Sequence, residues 1–241
     1  GVTTTTGDAE GEVLQRCAVD EAGLTPQRLA QVAQQFTGPI RQVPPMHSAL
    51  KKDGKALYEY ARAGVEVERP ARDVFISALN LALTHTEQAQ AAIKIRVTCS
   101  KGTYIRTLGE DIGQALGCGA HLVFLRRVET GGLGLEGCVT LAQLEACDDA
   151  QRLAWVQPVQ TLLAGHTVIT LTEEDAGRFL SGVRRRGPWP DAAAVAVYGE
   201  HPRALLGVGH VVQGELIADR LLSPLEIQQI LQGAPRAITP V

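Results

Sequence analysis

The strongest constraint on the fold is a change of hydrophobic period at one short segment, Cys99–Thr107. Before it, residues 93 to 99 alternate apolar and polar side chains, the period of two that predicts a half-buried strand. After it, apolar residues recur at spacings of three and four and predict one buried helical face that stops before Gly117: Ile105, Leu108, Ile112 and Leu116. A strand therefore runs directly into a helix, and the polar groups between them lie at the junction.

Arg106 falls in the first turn of the predicted helix, where a cation is an unfavourable choice. The helix dipole already places partial positive charge at that end. The position becomes favourable if a carboxylate or a phosphate lies close by. A site residue and a simple surface salt bridge are the two interpretations that this pattern leaves open.

The charge distribution points to a bounded basic region. The chain of 241 residues has a formal net charge of −3, which is not typical of a nucleic-acid binder. Residues 94–127, however, contain six basic and two acidic residues, and residues 41–62 contain five basic and two acidic residues. Such a concentration favours a limited RNA footprint, and a solvated charged face is the alternative.

Cysteine usage and hydropathy set the expected compartment. Five cysteines are an odd number and form no C-x-x-C pair, which favours a reducing, cytoplasmic environment. Cys118 and His121 could ligate a metal, but no second pair stands at ligand spacing, so we expect no metal site. We also expect no membrane span and no signal peptide, because no apolar run approaches about 20 residues.

Local patterns predict the other elements of a first domain. Thr25-Pro26 predicts a helix with Thr25 as N-cap and Pro26 at its first position. Residues 74–83 and 93–99 predict an antiparallel hairpin, and residues 122–128 predict a further strand. A capping box at Thr140–Gln143 predicts the helix that completes this domain.

From about Gly165 the pattern changes to a smaller, β-rich unit. Thr172 and Ser223 are predicted N-caps of two helices. Between them, glycines separate short strand candidates, as in a small β-barrel: 194–198, 204–208, 210–212 and 215–219. The run Arg184–Arg186 is either a set of phosphate ligands or a solvated helix end.

Several motifs together carry a family resemblance. They are Cys99–Thr107, Leu116–Leu122, Leu125-Arg126-Arg127, the P-P-x-x-S-A-x-K pattern at 44–51, the L-Y-x-x-A-R pattern at 57–62, and the G-x-x-T-x-T-x-D-x-x-G pattern at 1–11. In these motifs the chain resembles the bacterial pseudouridine synthases that modify the uridine in the T loop of tRNA. The resemblance implies an α+β fold in which a mixed, mainly antiparallel sheet is flanked by helices (residues 1–164), followed by a small β-rich, PUA-like RNA-binding domain (residues 165–241).

The resemblance also implies an activity and a set of site residues. The activity is isomerisation of uridine to pseudouridine in the T arm of tRNA, by a monomer, without a metal or an organic cofactor. Arg106 would pair with the catalytic aspartate, Tyr104 would line the pocket of the target base, and Leu125 would pack against that base. The implied RNA contacts are Lys51, Lys101, Arg126, Arg127, His47 and Asp8.

The catalytic aspartate of this family lies in a G-x-L-D-P motif, which does not occur in these 241 residues. We therefore expect the chain to be a fragment without activity of its own. Asp8 is not promoted in its place, because the Gly-x-Asp-Ala-Glu-Gly context is typical of a turn. A noncatalytic RNA-binding protein or chaperone, or a guide-RNA-dependent, dyskerin-like subunit, is the alternative function.

Overall fold

The computed structural model describes residues 1–232, which divide into two compact units, Gly1–Arg126 and the residues from Arg127 onward. Both units combine helices with mainly antiparallel strands, so the predicted α+β fold class is confirmed. The boundary predicted at residues 164 and 165 stays a prediction. The end of the second predicted domain, residues 233–241, lies outside the described residues. No described helix is both long enough and apolar enough to cross a bilayer.

The first unit is built on a three-stranded antiparallel sheet in the order β3-β6-β7, and β1-β2 and β4-β5 form separate antiparallel pairs. Its elements, in chain order, are β1 (Val2–Thr4), β2 (Val13–Arg16), α1 (Pro26–Gln35), β3 (Gly38–Gln42), β4 (Lys51–Lys52), β5 (Lys55–Ala56), α2 (Leu57–Arg62), β6 (Arg72–His85), β7 (Ala91–Cys99) and α3 (Ile105–Ala115). The predicted hairpin of residues 74–83 and 93–99 is confirmed as the pair β6-β7.

Helix α3 buries the face that the sequence predicted, and helix α1 begins at the predicted cap. Helix α1 begins at Pro26, and the Arg28 backbone N–H donates to Thr25 Oγ1 at 3.2 Å, which confirms the predicted cap. Helix α1 packs on β6, and both helices contribute to one hydrophobic core whose members include Leu29, Val32, Ile76, Leu108 and Ile112. The sheet and the two helices thereby fix the end of β7 and the start of α3, the junction that the sequence singled out.

The end of α3 is packed closely against the segment that follows it. The Gly113 carbonyl oxygen accepts from the backbone N–H groups of Cys118 and Gly119, at 3.2 and 3.0 Å. A Cβ atom added at Gly113 would lie 2.4 Å from Ala120 N. The absence of a side chain at Gly113 is therefore what lets the chain turn back along the helix.

The strand predicted at residues 122–128 is wrong. Only Leu122 makes a bridge, an isolated parallel one to Asp8, and residues 123–128 have no regular structure. Phe124 and Leu125 are 75% and 60% exposed. Alternating apolar residues here do not form a strand because no described strand lies beside them to complete a ladder.

The second unit contains a five-stranded sheet in the order β10-β12-β13-β14-β11, with a parallel pair β10-β12 and otherwise antiparallel pairs. Its elements are β8 (Glu129–Thr130), β9 (Leu133–Gly134), α4 (Leu141–Ala146), α5 (Asp149–Ala154), β10 (Thr167–Leu171), α6 (Glu173–Leu180), β11 (Arg185–Arg186), β12 (Ala192–Gly199), β13 (Leu205–Val212), β14 (Glu215–Leu221) and α7 (Pro224–Leu231). The predicted caps Thr140, Thr172 and Ser223 are confirmed.

One strand, β13, replaces the two that were predicted on either side of Gly209. Gly209 does not break the strand. A Cβ atom there would lie 2.2 Å from the carbonyl oxygen of Ile217, so the glycine admits a close approach by β14. Gly209 therefore reflects a packing requirement within the sheet and not a turn between two strands.

Two equivalent substitutions should have opposite effects on stability. Alanine has the higher helix propensity, by about 1 kcal/mol, so Gly177→Ala in α6, where an added Cβ meets nothing within 4 Å, should stabilise the chain by about that amount. Gly113→Ala should instead destabilise it by about 1 to 3 kcal/mol, because the added methyl group collides with backbone. Urea unfolding followed by circular dichroism measures both. A stabilised Gly113→Ala variant would contradict the close packing described at the end of α3.

Candidate active site

The N-terminus of α3 carries Arg106 in its first turn, as predicted. Tyr104 is the N-cap, and its side chain makes no capping hydrogen bond. The connection from β7 is a tight turn in which Thr103 Oγ1 donates to the Ser100 carbonyl oxygen at 2.9 Å and Gly102 has φ of +85°. The sequence thus places a cation at a helix end that lacks a side-chain cap.

The Arg106 guanidinium is held by three acceptors from distant parts of the first unit. Its Nη1 donates to Asp8 Oδ2 at 2.9 Å and to the Thr6 carbonyl oxygen at 3.2 Å. Its Nη2 donates to the His47 carbonyl oxygen at 2.8 Å. The Arg106 and Asp8 side chains are only 28% and 25% exposed. A half-buried, multiply bonded guanidinium of this kind has a fixed position.

Asp8 is both a turn residue and the partner of Arg106. Its Oδ1 accepts from Thr6 Oγ1 at 2.6 Å and from the Glu10 backbone N–H at 3.2 Å, which is the predicted turn chemistry. The hydrogen bond from the Thr6 hydroxyl contributes most to lowering the pKa of Asp8 below its ordinary value. Burial opposes this, and the Glu10 amide and the Arg106 guanidinium lower the pKa further. Asp8 is therefore a carboxylate at neutral pH.

A second acid, Glu110, lies one turn along α3 from Arg106. Burial raises the pKa of Glu110, the charges of Asp111 and Asp8 raise it further, and Arg106 acts in the opposite direction. Gly7 closes this side of the site: it has φ of +71°, and a Cβ atom there would lie 3.0 Å from the Glu110 carboxyl carbon. The guanidinium thus interacts with two acids whose pKa values are shifted in opposite directions.

Tyr104 is half-buried, and its backbone is paired on both sides by one side chain. The Tyr104 N–H donates to Gln42 Oε1 at 3.0 Å, and Gln42 Nε2 donates to the Tyr104 carbonyl oxygen at 3.3 Å. Within the part of the chain that the structure describes, the Tyr104 hydroxyl has no hydrogen-bond partner. The phenol is therefore free to interact with a ligand.

The remaining predicted site residues do not join this cluster by hydrogen bonds. Leu125 is exposed, as are the four basic residues predicted to contact RNA, Lys51, Lys101, Arg126 and Arg127. None of these four cations forms an ion pair with any residue from 1 to 232. Among the predicted RNA contacts, Asp8 and His47 lie in the Arg106 cluster, and His47 enters it through its backbone carbonyl.

The arginine run in the second unit differs from these free cations. Arg184 and Arg186 both pair with Glu215, and Arg185 pairs with Asp175. Acidic partners therefore neutralise most of the charge of the run. Cys118 and His121, considered above as metal ligands, belong to no candidate group: among the described residues no three His, Cys, Asp or Glu side chains are placed to hold a metal ion.

Comparison with known proteins decides the family. A family model for the N-terminal domain of TruB family pseudouridylate synthases matches residues 1–105, and one for the C-terminal domain of tRNA pseudouridylate synthase B matches residues 106–164. A relative named tRNA pseudouridine synthase B from Verminephrobacter eiseniae (strain EF01-2) is 64% identical over 236 residues, which cover 98% of this chain and 71% of the relative. The chain belongs to the TruB family of pseudouridylate synthases.

Two further relatives of the same name agree with this membership. The protein from Ralstonia nicotianae (strain ATCC BAA-1114 / GMI1000) is 52% identical, and the one from Cupriavidus taiwanensis (strain DSM 17343 / BCRC 17206 / CCUG 44338 / CIP 107171 / LMG 19424 / R1) is 51% identical. Each match covers 92% of this chain and 71% of the relative. The pseudouridine synthase resemblance drawn from the motifs is confirmed.

Sequence reasoning on this TruB family chain did not foresee how the site residues are held. Asp8 was predicted as a turn residue and an RNA contact, but its pairing with Arg106 was not foreseen because 98 positions separate the two residues. Thr6 was noted only as part of the motif at 1–11, and Gln42 was not singled out. The available signals were the polar spacing Thr4, Thr6 and Asp8, and a glutamine placed at the end of a strand just before Pro44-Pro45.

The lowered pKa of Asp8 makes a testable contribution to stability. A carboxyl group with a lowered pKa in the folded state stabilises the fold above its unfolded pKa, about 3.9, and this stabilisation is lost as the pH falls through the folded pKa. We expect Asp8→Asn to be less stable than the parent at pH 7 and to lose less stability as the pH falls from 7 through the unfolded pKa of the carboxyl group and below it.

Urea unfolding at a series of pH values measures this difference. Asp73→Asn is the control, because Asp73 is 91% exposed and its 3.7 Å contact with Arg41 should contribute little. Identical pH dependence in the parent and in Asp8→Asn would contradict the assignment of a structural charge to Asp8.

Proposed function

We propose that this chain forms the base-binding and arginine-bearing part of a tRNA pseudouridine synthase that acts on the T loop. The observation that carries the proposal is the half-buried Arg106 guanidinium, held next to Tyr104 at a helix N-terminus in a member of the TruB family. The relatives' shared name, tRNA pseudouridine synthase B, supports tRNA as the substrate. The T loop is the finer part of the proposal and derives from the motif resemblance.

The reaction requires the uridine to leave the folded T arm. A base within a stacked RNA element is out of reach, so it is extruded into a pocket at a cost of about a few kcal/mol. An aspartate nucleophile then assists cleavage of the glycosidic bond between N1 of the base and C1′ of the ribose. The base rotates while it is held, and a bond from C5 to C1′ replaces the one from N1. The proton on C5 is released to water, and N1, which keeps the electron pair of the broken bond, takes up a proton from water.

Arg106 is the residue to which we assign the orientation of that aspartate. A guanidinium has five N–H donors, and three contacts to described residues, two from Nη1 and one from Nη2, leave Nε–H and one Nη2–H free. Two donors on one planar group can bind a carboxylate in a bidentate manner. Asp8 fixes the guanidinium before the nucleophile or the RNA arrives. We propose that the nucleophile, absent from these 241 residues, lies in a further segment of the full-length protein.

Tyr104 and Leu125 are assigned to the flipped base. The Tyr104 hydroxyl has no partner among residues 1–232, so its phenol can donate to a base edge. Leu125 is 60% exposed in the free protein. Packing against an extruded base would remove this apolar side chain from water, which is favourable. These roles explain why a tyrosine two positions before Arg106 and an exposed leucine are both useful here.

Binding of the RNA backbone is assigned to the exposed, unpaired cations Lys51, Lys101, Arg126 and Arg127, with Asp8 and His47 nearer to the target nucleotide. Phosphate contacts require such cations, whereas Arg184 and Arg186 already share Glu215. We further propose that residues 165–241 are a PUA-like RNA-binding domain, since the second family model ends at residue 164 and the five-stranded sheet begins at Thr167. In this proposal the protein acts as a cytoplasmic monomer.

Tritium release tests the function. Uridine labelled at C5 loses tritium when the carbon bond to ribose forms, so the full-length protein should release one equivalent from a T-arm stem-loop. It should release none from a stem-loop in which the label is carried only by uridines of the stem and the target uridine is unlabelled. The 241-residue chain alone should bind the T-arm RNA without turnover, because nothing in it replaces the nucleophile. Turnover by the chain alone would contradict this, and Asp8 would be the first carboxylate to examine.

Arg106→Ala in the full-length protein should reduce turnover by at least about 10²-fold, the scale of loss when a preorganised charged donor is removed from an active site. Arg106→Lys should restore only part of it, because lysine keeps the charge but lacks the planar fork. Arg28→Ala is the matched control: Arg28 contacts the Ala115 carbonyl oxygen at the other end of α3 and should leave turnover unchanged. Near-parent turnover in Arg106→Ala would show that Arg106 is a structural cation only.

A further inference from the structure

Gln42 has a polar carboxamide side chain in an almost completely buried position. It is the last residue of β3, and it is only 2% exposed. Both ends of its amide are used on one residue, Tyr104, with hydrogen bonds of 3.0 Å from the Tyr104 N–H and 3.3 Å to the Tyr104 carbonyl oxygen. A planar carboxamide that pairs with both backbone groups of one residue fixes the position and the orientation of that backbone.

The pairing supplies one half of a capping box, an acceptor for the N–H of the N-cap residue Tyr104. The Tyr104 carbonyl oxygen also accepts the first hydrogen bond of α3, from the Leu108 N–H at 3.0 Å. The Tyr104 N–H lies outside the helix and finds its acceptor in Gln42. An N-terminus is usually fixed by a side chain within the same turn, but here the side chain comes from a residue 62 positions earlier in the chain. Gln42 therefore ties the start of α3 to the edge of the sheet.

The segment that follows Gln42 makes a second attachment to the same place. Pro44 is fully buried, and the His47 carbonyl oxygen accepts from Arg106 Nη2 at 2.8 Å. The segment 42–47 is thus connected at one end to Tyr104 and at the other end to Arg106. Two consecutive prolines restrict the backbone between the two attachments. A shift at Gln42 would consequently move both residues to which we assign chemistry.

We propose that Gln42 is a positioning residue for pseudouridine formation, which acts through the Tyr104 backbone to set the places of the Tyr104 phenol and the Arg106 guanidinium relative to the extruded uridine. This inference rests on the function proposed above. Gln42 is itself buried and touches neither RNA nor the reacting atoms. Its effect should therefore appear in the chemical step and not in the affinity for tRNA.

The test compares Gln42→Met with Thr37→Val in the full-length protein. Methionine has nearly the length of glutamine but can make neither hydrogen bond to Tyr104. Thr37→Val removes another partly buried hydrogen bond of the same unit, from Thr37 Oγ1 to the Ala33 carbonyl oxygen at 2.8 Å, away from Tyr104. Single-turnover tritium release, the Kd for T-arm RNA and the thermal midpoint are measured for both variants.

We expect Gln42→Met to lower the single-turnover rate by about 10²-fold, the loss that a displacement of about 1 Å at a reacting centre can cause. Its Kd should stay within about a factor of two of the parent's, because phosphate contacts supply most of the affinity. Amide hydrogen exchange at Tyr104 should become faster in the Gln42→Met form of the 241-residue chain. Thr37→Val should keep the parent's rate even if its thermal midpoint falls by a similar amount.

The possible outcomes separate this inference from the function on which it rests. A parent protein without turnover on any tRNA substrate would overturn both. An active parent with an equally active Gln42→Met variant would overturn only the role of Gln42, as would equal losses of rate in Gln42→Met and Thr37→Val. If Gln42→Met does not fold, Gln42→Asn decides, because it keeps the amide but is one methylene too short to reach both Tyr104 groups: a lowered rate supports the proposal, and a parent-like rate overturns it.

Discussion

The site depends on one guanidinium, that of Arg106 in α3, being held in place by groups from two other segments of the first unit. A cation at a helix N-terminus is unfavourable unless negative charge compensates for it, and the Asp8 carboxylate at 2.9 Å provides that compensation. The Thr6 and His47 carbonyl oxygens accept hydrogen bonds from the guanidinium and fix its orientation. The loop before β2, the proline segment and α3 are therefore linked through a single side chain, and the location of the site follows from this link.

The parts that the sequence predicted are those set by neighbouring residues. The cap at Thr25, the hairpin β6-β7 and the buried face of α3 each depend on residues within a few positions, where periodicity and capping rules apply. The pairing of Asp8 with Arg106 and of Gln42 with Tyr104 depends on tertiary approach over 98 and 62 positions. Periodicity and capping rules cannot predict contacts between residues so far apart in the sequence. The wrong strand at 122–128 has the same origin, because a strand also needs a partner.

The sequence alone also cannot show which basic residues are free to bind RNA. The sequence contains both the cluster of lysines and arginines around Arg106 and the run Arg184–Arg186, and a count of residues treats them alike. In the structure, Glu215 and Asp175 bind the three arginines of the run, whereas Lys51 and Lys101 have no ionic partner among the described residues. A cation without a protein anion beside it can neutralise a phosphate directly, whereas a paired arginine must first give up its carboxylate partner. The residues assigned to RNA binding therefore differ from the most conspicuous basic run.

The opposite pKa shifts of Asp8 and Glu110 constrain how Arg106 can act. Asp8 is kept ionised and takes part of the guanidinium charge, while burial and the neighbouring acids already disfavour a further negative charge at Glu110. A nucleophilic carboxylate that joins this cluster would share one cation with two other acids. Arg106 already makes three hydrogen bonds in this cluster. Its two free N–H donors, fixed in direction by Asp8, Thr6 and His47, would contribute chiefly by orienting the nucleophile. The hydrogen bonds to the Tyr104 backbone and from the Arg106 side chain together fix the geometry at this end of α3.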